Sequence, residues 1–163
     1  MHGFSGTLTK YILLVWMLAL PGGYASASNN LCADHHGLTE FYSLFEVAGV
    51  EKYRGGLTSR ADAEAVIGQE MELSQGTFRL GHVTIEQPRY ETRCHPLPEE
   101  GEVTRERGSV FYGYGTERRQ IEILSVFAPN QTHPAYRFEV ISPMELWRLY
   151  DGWLYRLHRR GAE

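Results

Sequence analysis

The chain has 163 residues, 42% of them hydrophobic and 22% charged, with a formal net charge of −4. That length reads as a single domain, and the acidic balance excludes a duplex nucleic-acid binder, which needs a basic face. Two cysteines allow at most one internal disulfide.

Lys10 precedes an apolar run from Tyr11 to Leu20, followed by Pro21-Gly22-Gly23 and Ala25-Ser26-Ala27. A positive region, a short apolar core and a small-x-small site follow one another as in a secretory signal peptide. The run is half of the roughly 20 residues that cross a bilayer, so cleavage near Ala27 is expected rather than a membrane span. Residues 1–27 are thus a signal peptide and 28–163 a single exported β-domain, periplasmic or secreted. Of the 16 cations only Lys10 is lost with the leader, while all 20 carboxylates stay, which takes the net charge to about −5. Export places Cys32 and Cys94 where disulfides persist. A bridge between them would close a loop of about 60 residues and contribute on the order of 4 kcal/mol through chain entropy.

Residues 29–37 are polar and extended, and Phe41, Leu44, Phe45 and Val47 make 39–47 a strand. After a turn at Tyr53–Gly56, Thr58 or Ser59 caps a helix over Ser59–Ile67 that stops at Gly68. The period then changes to two. Met71 and Leu73, Phe78 and Leu80, and Val83 and Ile85 alternate with polar residues, separated by Gln75-Gly76 and Gly81. A segment from Pro88 to Pro96 follows, then a charged loop to Arg107, then strands over Ser109–Tyr114 and Arg119–Phe127. After a loop at 128–134, Tyr136 to Val140 is a strand, and Ser142-Pro143-Met144-Glu145 reads as a helical turn with its own cap. Asp151-Gly152 marks a type I′ hairpin between Glu145–Tyr150 and Trp153–His158. A two-residue loop pairs Tyr150 with Trp153, Leu149 with Leu154, Arg148 with Tyr155, Trp147 with Arg156 and Leu146 with Leu157. Eight or nine short strands with tight connections and one short helix give a mainly β fold, a small antiparallel β-barrel or two-layer sandwich.

No G-x-S-x-G, H-E-x-x-H, C-x-x-C or Walker loop is present, no cofactor-binding motif is legible, and the expectation is a non-catalytic protein. The Cys32–Cys94 bridge would gather His35, His36 and His95, with Asp34, into a candidate zinc or copper site. Against it, adjacent histidines point apart in an extended chain, and loop histidines are commonly just solvated. Tyr112, Tyr114, Trp147, Arg148, Tyr150, Trp153, Tyr155 and Arg156 are of the types that dominate binding hot spots, and make a candidate binding surface. The same residues serve cross-strand packing and cation–π stacking, so both readings stand.

The signal peptide, the helix ending Ala65-Val66-Ile67-Gly68, the Pro88-x-Tyr90 step before Cys94 and the closing Asp151-Gly152-Trp153-Leu154-Tyr155 hairpin run through most of the mature chain. In architecture this resembles small exported bacterial β-barrel proteins of the lipocalin-like kind. The resemblance implies the barrel and carries over no functional residue. The function expected is that of a non-catalytic binding protein, an inhibitor or immunity-type partner of another envelope protein. The alternatives are a lipocalin-like carrier of a small apolar ligand and an envelope metal-binding protein. No nucleic acid partner and no membrane-spanning segment is expected.

Overall fold

Period-two alternation joined by tight turns leaves the strands no choice but antiparallel pairing. In a computed structural model, which describes residues 36–97 and 108–161, nine strands form one antiparallel sheet. They are β1 Ser43–Lys52, β2 Glu70–Leu73, β3 Thr77–Leu80, β4 Val83–Glu86, β5 Arg89–Pro96, β6 Gln120–Phe127, β7 Tyr136–Ser142, β8 Glu145–Tyr150 and β9 Trp153–Arg159. Their order across the sheet is β4-β3-β2-β1-β9-β8-β7-β6-β5. Two meanders, β1 to β4 and β5 to β9, are joined where β9 docks on β1. The expected signal peptide, Cys32, Asp34 and His35 lie outside the described residues.

The sheet curls into a half-barrel, so the strands make one curved layer with β4 and β5 as its edges. Register shifts between Val47 and Gly49 in β1 and between Val140 and Ser142 in β7 mark bulges. Each bulge adds local twist and bends its strand, which is how a flat ladder becomes a trough. At one end Gln87-Pro88 links the two edge strands, and the Tyr90 hydroxyl donates to the Thr77 carbonyl at 3.2 Å.

The trough holds the core. Phe45, Met71, Phe78, Phe138, Leu146 and Trp153 are among its buried residues, with Phe78 4.9 Å from the Tyr136 ring and 6.2 Å from Phe138. Burying each such side chain contributes about 1.5–3 kcal/mol. The helix α1, Arg60–Glu64, lies in the β1–β2 connection and buries Ala63. Ser59 is its N-cap, accepting from Asp62 N–H at 3.1 Å. The helix is shorter than expected, because residues 65–68 leave it as a turn ending in Gly68 at φ 84°. No helix among the described residues is long and apolar enough to cross a membrane.

Three local expectations are corrected. The expected strand over 39–47 begins only at Ser43, because Leu38–Phe41 forms a 3₁₀ turn that buries Phe41 in the trough. Ser109–Tyr112 is a second 3₁₀ turn rather than a strand, since Ser109 N–H goes to the Glu139 carboxylate and Gly113 takes φ 86°. The turn at Pro143-Met144 is a hairpin, with Ser142 opposite Glu145, because β7 and β8 pair directly through it. The closing hairpin has all five expected cross-strand pairs.

Asp151 (φ 44°) and Gly152 (φ 86°) take the two positive φ angles of the turn. The Asp151 carboxylate also reaches across to the β1–β2 connection, accepting from Leu57 N–H (3.0 Å) and from the Thr58 N–H and hydroxyl (2.5 and 2.7 Å). The Thr58 and Leu57 hydrogen bonds hold its carboxyl below the ordinary value of 3.8. A depressed carboxylate contributes stability above the unfolded value and loses it as pH falls through the folded one. The stability difference between wild type and Asp151→Asn, measured by urea unfolding, is therefore expected to be present above about pH 4 and to shrink at lower pH. Trp153 is 1% exposed and its indole N–H donates to the Thr58 carbonyl at 3.0 Å. Trp153→Ala is expected to cost about 3–5 kcal/mol in the same assay.

Candidate functional site

Strand alternation sorts the aromatic and arginine residues of the closing hairpin onto two faces. Leu146, Arg148 and Tyr150 on β8 stand opposite Leu157, Tyr155 and Trp153 on β9, and this set faces the trough. Trp147 and Arg156, also paired, face the convex side. The eight residues expected to form one surface are thus divided by the sheet.

On the concave side, Arg148, Tyr150 and Tyr155 line a cavity of about 190 Å³. Val47, Leu80 and Leu157 supply its apolar wall, and Thr58, Asp62, Val66 and Gln69 close it from the side of α1. The Arg148 guanidinium carbon lies 4.6 Å from the Tyr150 ring centre and 5.0 Å from that of Tyr136. Burial pushes its pKa below the usual guanidinium value, and only the surrounding tyrosines, Tyr136 first, act in the opposite sense. An arginine so far above neutrality stays charged. Burial raises the Tyr155 phenol, and the nearby Arg148 charge partly offsets that rise. Trp153 takes no part in the cavity wall and belongs to the core beneath it.

On the convex side the segment 108–118 covers the outer face of the sheet. Glu139, 4% exposed, accepts from Ser109 N–H and hydroxyl, both at 2.6 Å, and from Arg118 at 2.8 Å. Arg118 and Arg156 lie 5.3 and 5.5 Å from the Trp147 ring, whose N–H donates to Glu145 at 2.6 Å. Tyr112 packs at a tilt against Tyr53, with ring centres 4.3 Å apart, and Tyr114, raised by burial and by its hydrogen bond to Glu51, reaches β1. Arg156 pairs with Glu51 at 2.9 Å. These contacts fasten a cover to the sheet. They do not leave Trp147 open to a partner.

The histidines are also divided. His36 Nδ1 lies 2.9 Å from Glu122 Oε2, and its ring meets Phe41 edge-on. His95 is one residue out of phase with Cys94, which pairs with Glu122, so it points to the other face. There, with Arg93, His133 and Arg137, it lines a second cavity of about 200 Å³ over Ser125 and Phe127. No group of three or more His, Cys, Asp or Glu among the described residues is arranged to hold a metal.

Local sequence carried no signal for the buried carboxylate Glu139. Between Phe138 and Val140 it has the pattern of a solvent-facing residue, and only the distant 108–118 segment buries it. Tyr136 was likewise visible only as the start of a strand. Comparison with protein-family models, with curated proteins and with solved structures finds no match, so the site is read from its own geometry.

Removing one member of a buried ion pair strands the other, at a cost of about 3–5 kcal/mol. Arg118→Ala is expected to fall in that range in urea unfolding, because Arg118 and Glu139 side chains are only 13% and 5% exposed. Arg79→Ala, which breaks the open pair with Glu72, is expected to cost under about 1 kcal/mol.

Proposed function

We propose that this is an exported, non-catalytic binding protein, periplasmic or secreted after cleavage near Ala27, and that it carries a small ligand in the concave cavity. The proposal includes the Cys32–Cys94 bridge, which would tie the start of the mature chain to β5. The observation that carries the reading is the space beside Arg148 that the side chains of the trough do not fill. Apolar walls with a few convergent polar groups are the usual make-up of a ligand site. A carrier needs its aromatics inward around such a space, and Tyr150, Tyr155 and Arg148 meet that requirement. A partner surface built on Trp147 is disfavoured, because Arg118 and Arg156 lie against that ring.

A second reading, docking of another envelope protein, is favoured by one observation. Leu57, Tyr150 and Ile67 are 99%, 54% and 49% exposed, and all three lie on or beside segments that line the same cavity. A protein seated there would cover the mouth.

Native mass spectrometry of the mature protein, isolated gently from its own compartment, separates the two. A mass excess of a small molecule, lost on denaturation and absent from Val66→Trp, is the expected result. Co-isolation of a second polypeptide would favour the docking reading, and a bare chain from every preparation would overturn the carrier.

A further inference from the structure

The two inward-looking and outward-looking arginines of the closing hairpin are treated differently by the fold. Arg156 on the convex face holds a carboxylate at 2.9 Å, and Arg118, at the end of the cover, holds one at 2.8 Å. Arg148, half-buried in the trough, has tyrosine rings against it and no ion pair among the described residues. The one carboxylate in the wall of its cavity, Asp62, is turned toward the helix cap, where Oδ2 accepts from the Ser59 hydroxyl at 2.6 Å. Arg148 itself lines that cavity, so its guanidinium is within reach of a molecule held there.

A desolvated cation without a counter-charge is stabilised by any anion that can reach it. The guanidinium fork matches a carboxylate in its own plane, with two parallel N–H···O bonds. Tyr136 and Tyr150 flank the guanidinium carbon at 5.0 and 4.6 Å and bring no carboxylate to that fork. The cavity, about 190 Å³, lies below the roughly 300 Å³ at which drug-sized sites begin, so it suits a compact body better than a long acyl chain. Asp62, also in the wall, disfavours a dianion such as a phosphate monoester. On the premise that this cavity is the binding site, we propose that its ligand is a compact monocarboxylate. The carboxylate accepts from Arg148, and a flat or branched apolar body lies against Val47, Leu80 and Leu157.

The test uses the full mature chain and a panel of small monocarboxylates, benzoate and its ring-substituted and branched aliphatic counterparts, each paired with its primary amide. Binding is read by calorimetry and by amide chemical shifts of Val47, Leu80, Tyr155 and Leu157. The expected result is saturable binding of at least one acid, with its amide weaker by at least about tenfold. Arg148→Gln is expected to abolish that preference, Arg148→Lys to keep part of it, and Asp62→Asn to tighten the acid. Unchanged amide spectra away from the cavity check that each variant is folded. Equal binding of acid and amide, or an acid preference that survives in Arg148→Gln, would overturn the carboxylate assignment and leave the carrier reading standing. If neither acids nor amides shift the cavity resonances, both the assignment and the carrier reading fail.

Discussion

The register of β8 on β9 is the constraint on which the rest of the molecule depends. Asp151-Gly152 sets it with two positive φ angles, and β9 then lies between β8 and β1 at the centre of the sheet. A slip of one residue would exchange the faces, sending Trp153, Tyr155 and Leu157 to the convex side and Leu154 into the trough. The turn is fixed from a second direction as well. The Gly152 carbonyl accepts from Tyr53 N–H at 3.0 Å, and the Asp151 carboxylate caps the segment at Leu57 and Thr58. Gly56 and Gly152 permit this close approach, since a Cβ on Gly56 would lie 1.9 Å from the Asp151 carbonyl oxygen. The same interlock holds the β1–β2 connection, and with it α1, over the mouth of the trough.

Two buried charges on neighbouring strands illustrate opposite solutions to one problem. Glu139 on β7 is out of water, and the 108–118 segment supplies Ser109 and Arg118 to it. Once paired in this way the carboxylate anchors the cover of the convex face. Arg148 on β8 is half out of water and is offered only polarizable rings. Ring faces attract a cation by about 0.5–2 kcal/mol, less than a desolvated carboxylate would.

The open form of the sheet follows from where its bulges and edges lie. Bulges in β1 and β7 curl the strands toward one another, and across the open side Tyr90 of the edge strand β5 reaches Thr77 of β3, the neighbour of the other edge. An open edge invites pairing with another chain, and β5 carries Arg89, Glu91 and Arg93 in mutual ion pairs along its convex face. Charge on an edge strand is a common defence against such pairing. Aromatic and branched side chains fill much of the trough, and the cavity beside Arg148 lies at the end beneath α1.

The sequence by itself determined the class of fold, the strand alternation from Glu70 to Ile85, the start of α1 at its Ser59 cap, and the register of the closing hairpin. These depend on interactions within a few residues or across one tight turn, and local side-chain period and turn chemistry encode them directly. The site residues Arg148, Tyr150 and Tyr155 were also visible, as members of a group of eight. Alternation already sets them apart from Trp147 and Arg156, but only the tertiary structure decided which of the two faces is covered and which lines a cavity. Residues 39–41, Ser109–Tyr112 and Ser142–Glu145 were misread for a related reason. Their conformations answer to Phe41 entering a distant core, to Glu139 thirty positions further on, and to strand pairing through the turn. The cavity beside Arg148 belongs to the same category, since its walls come from β1, β3, β8, β9 and the α1 connection, and no stretch of sequence contains it.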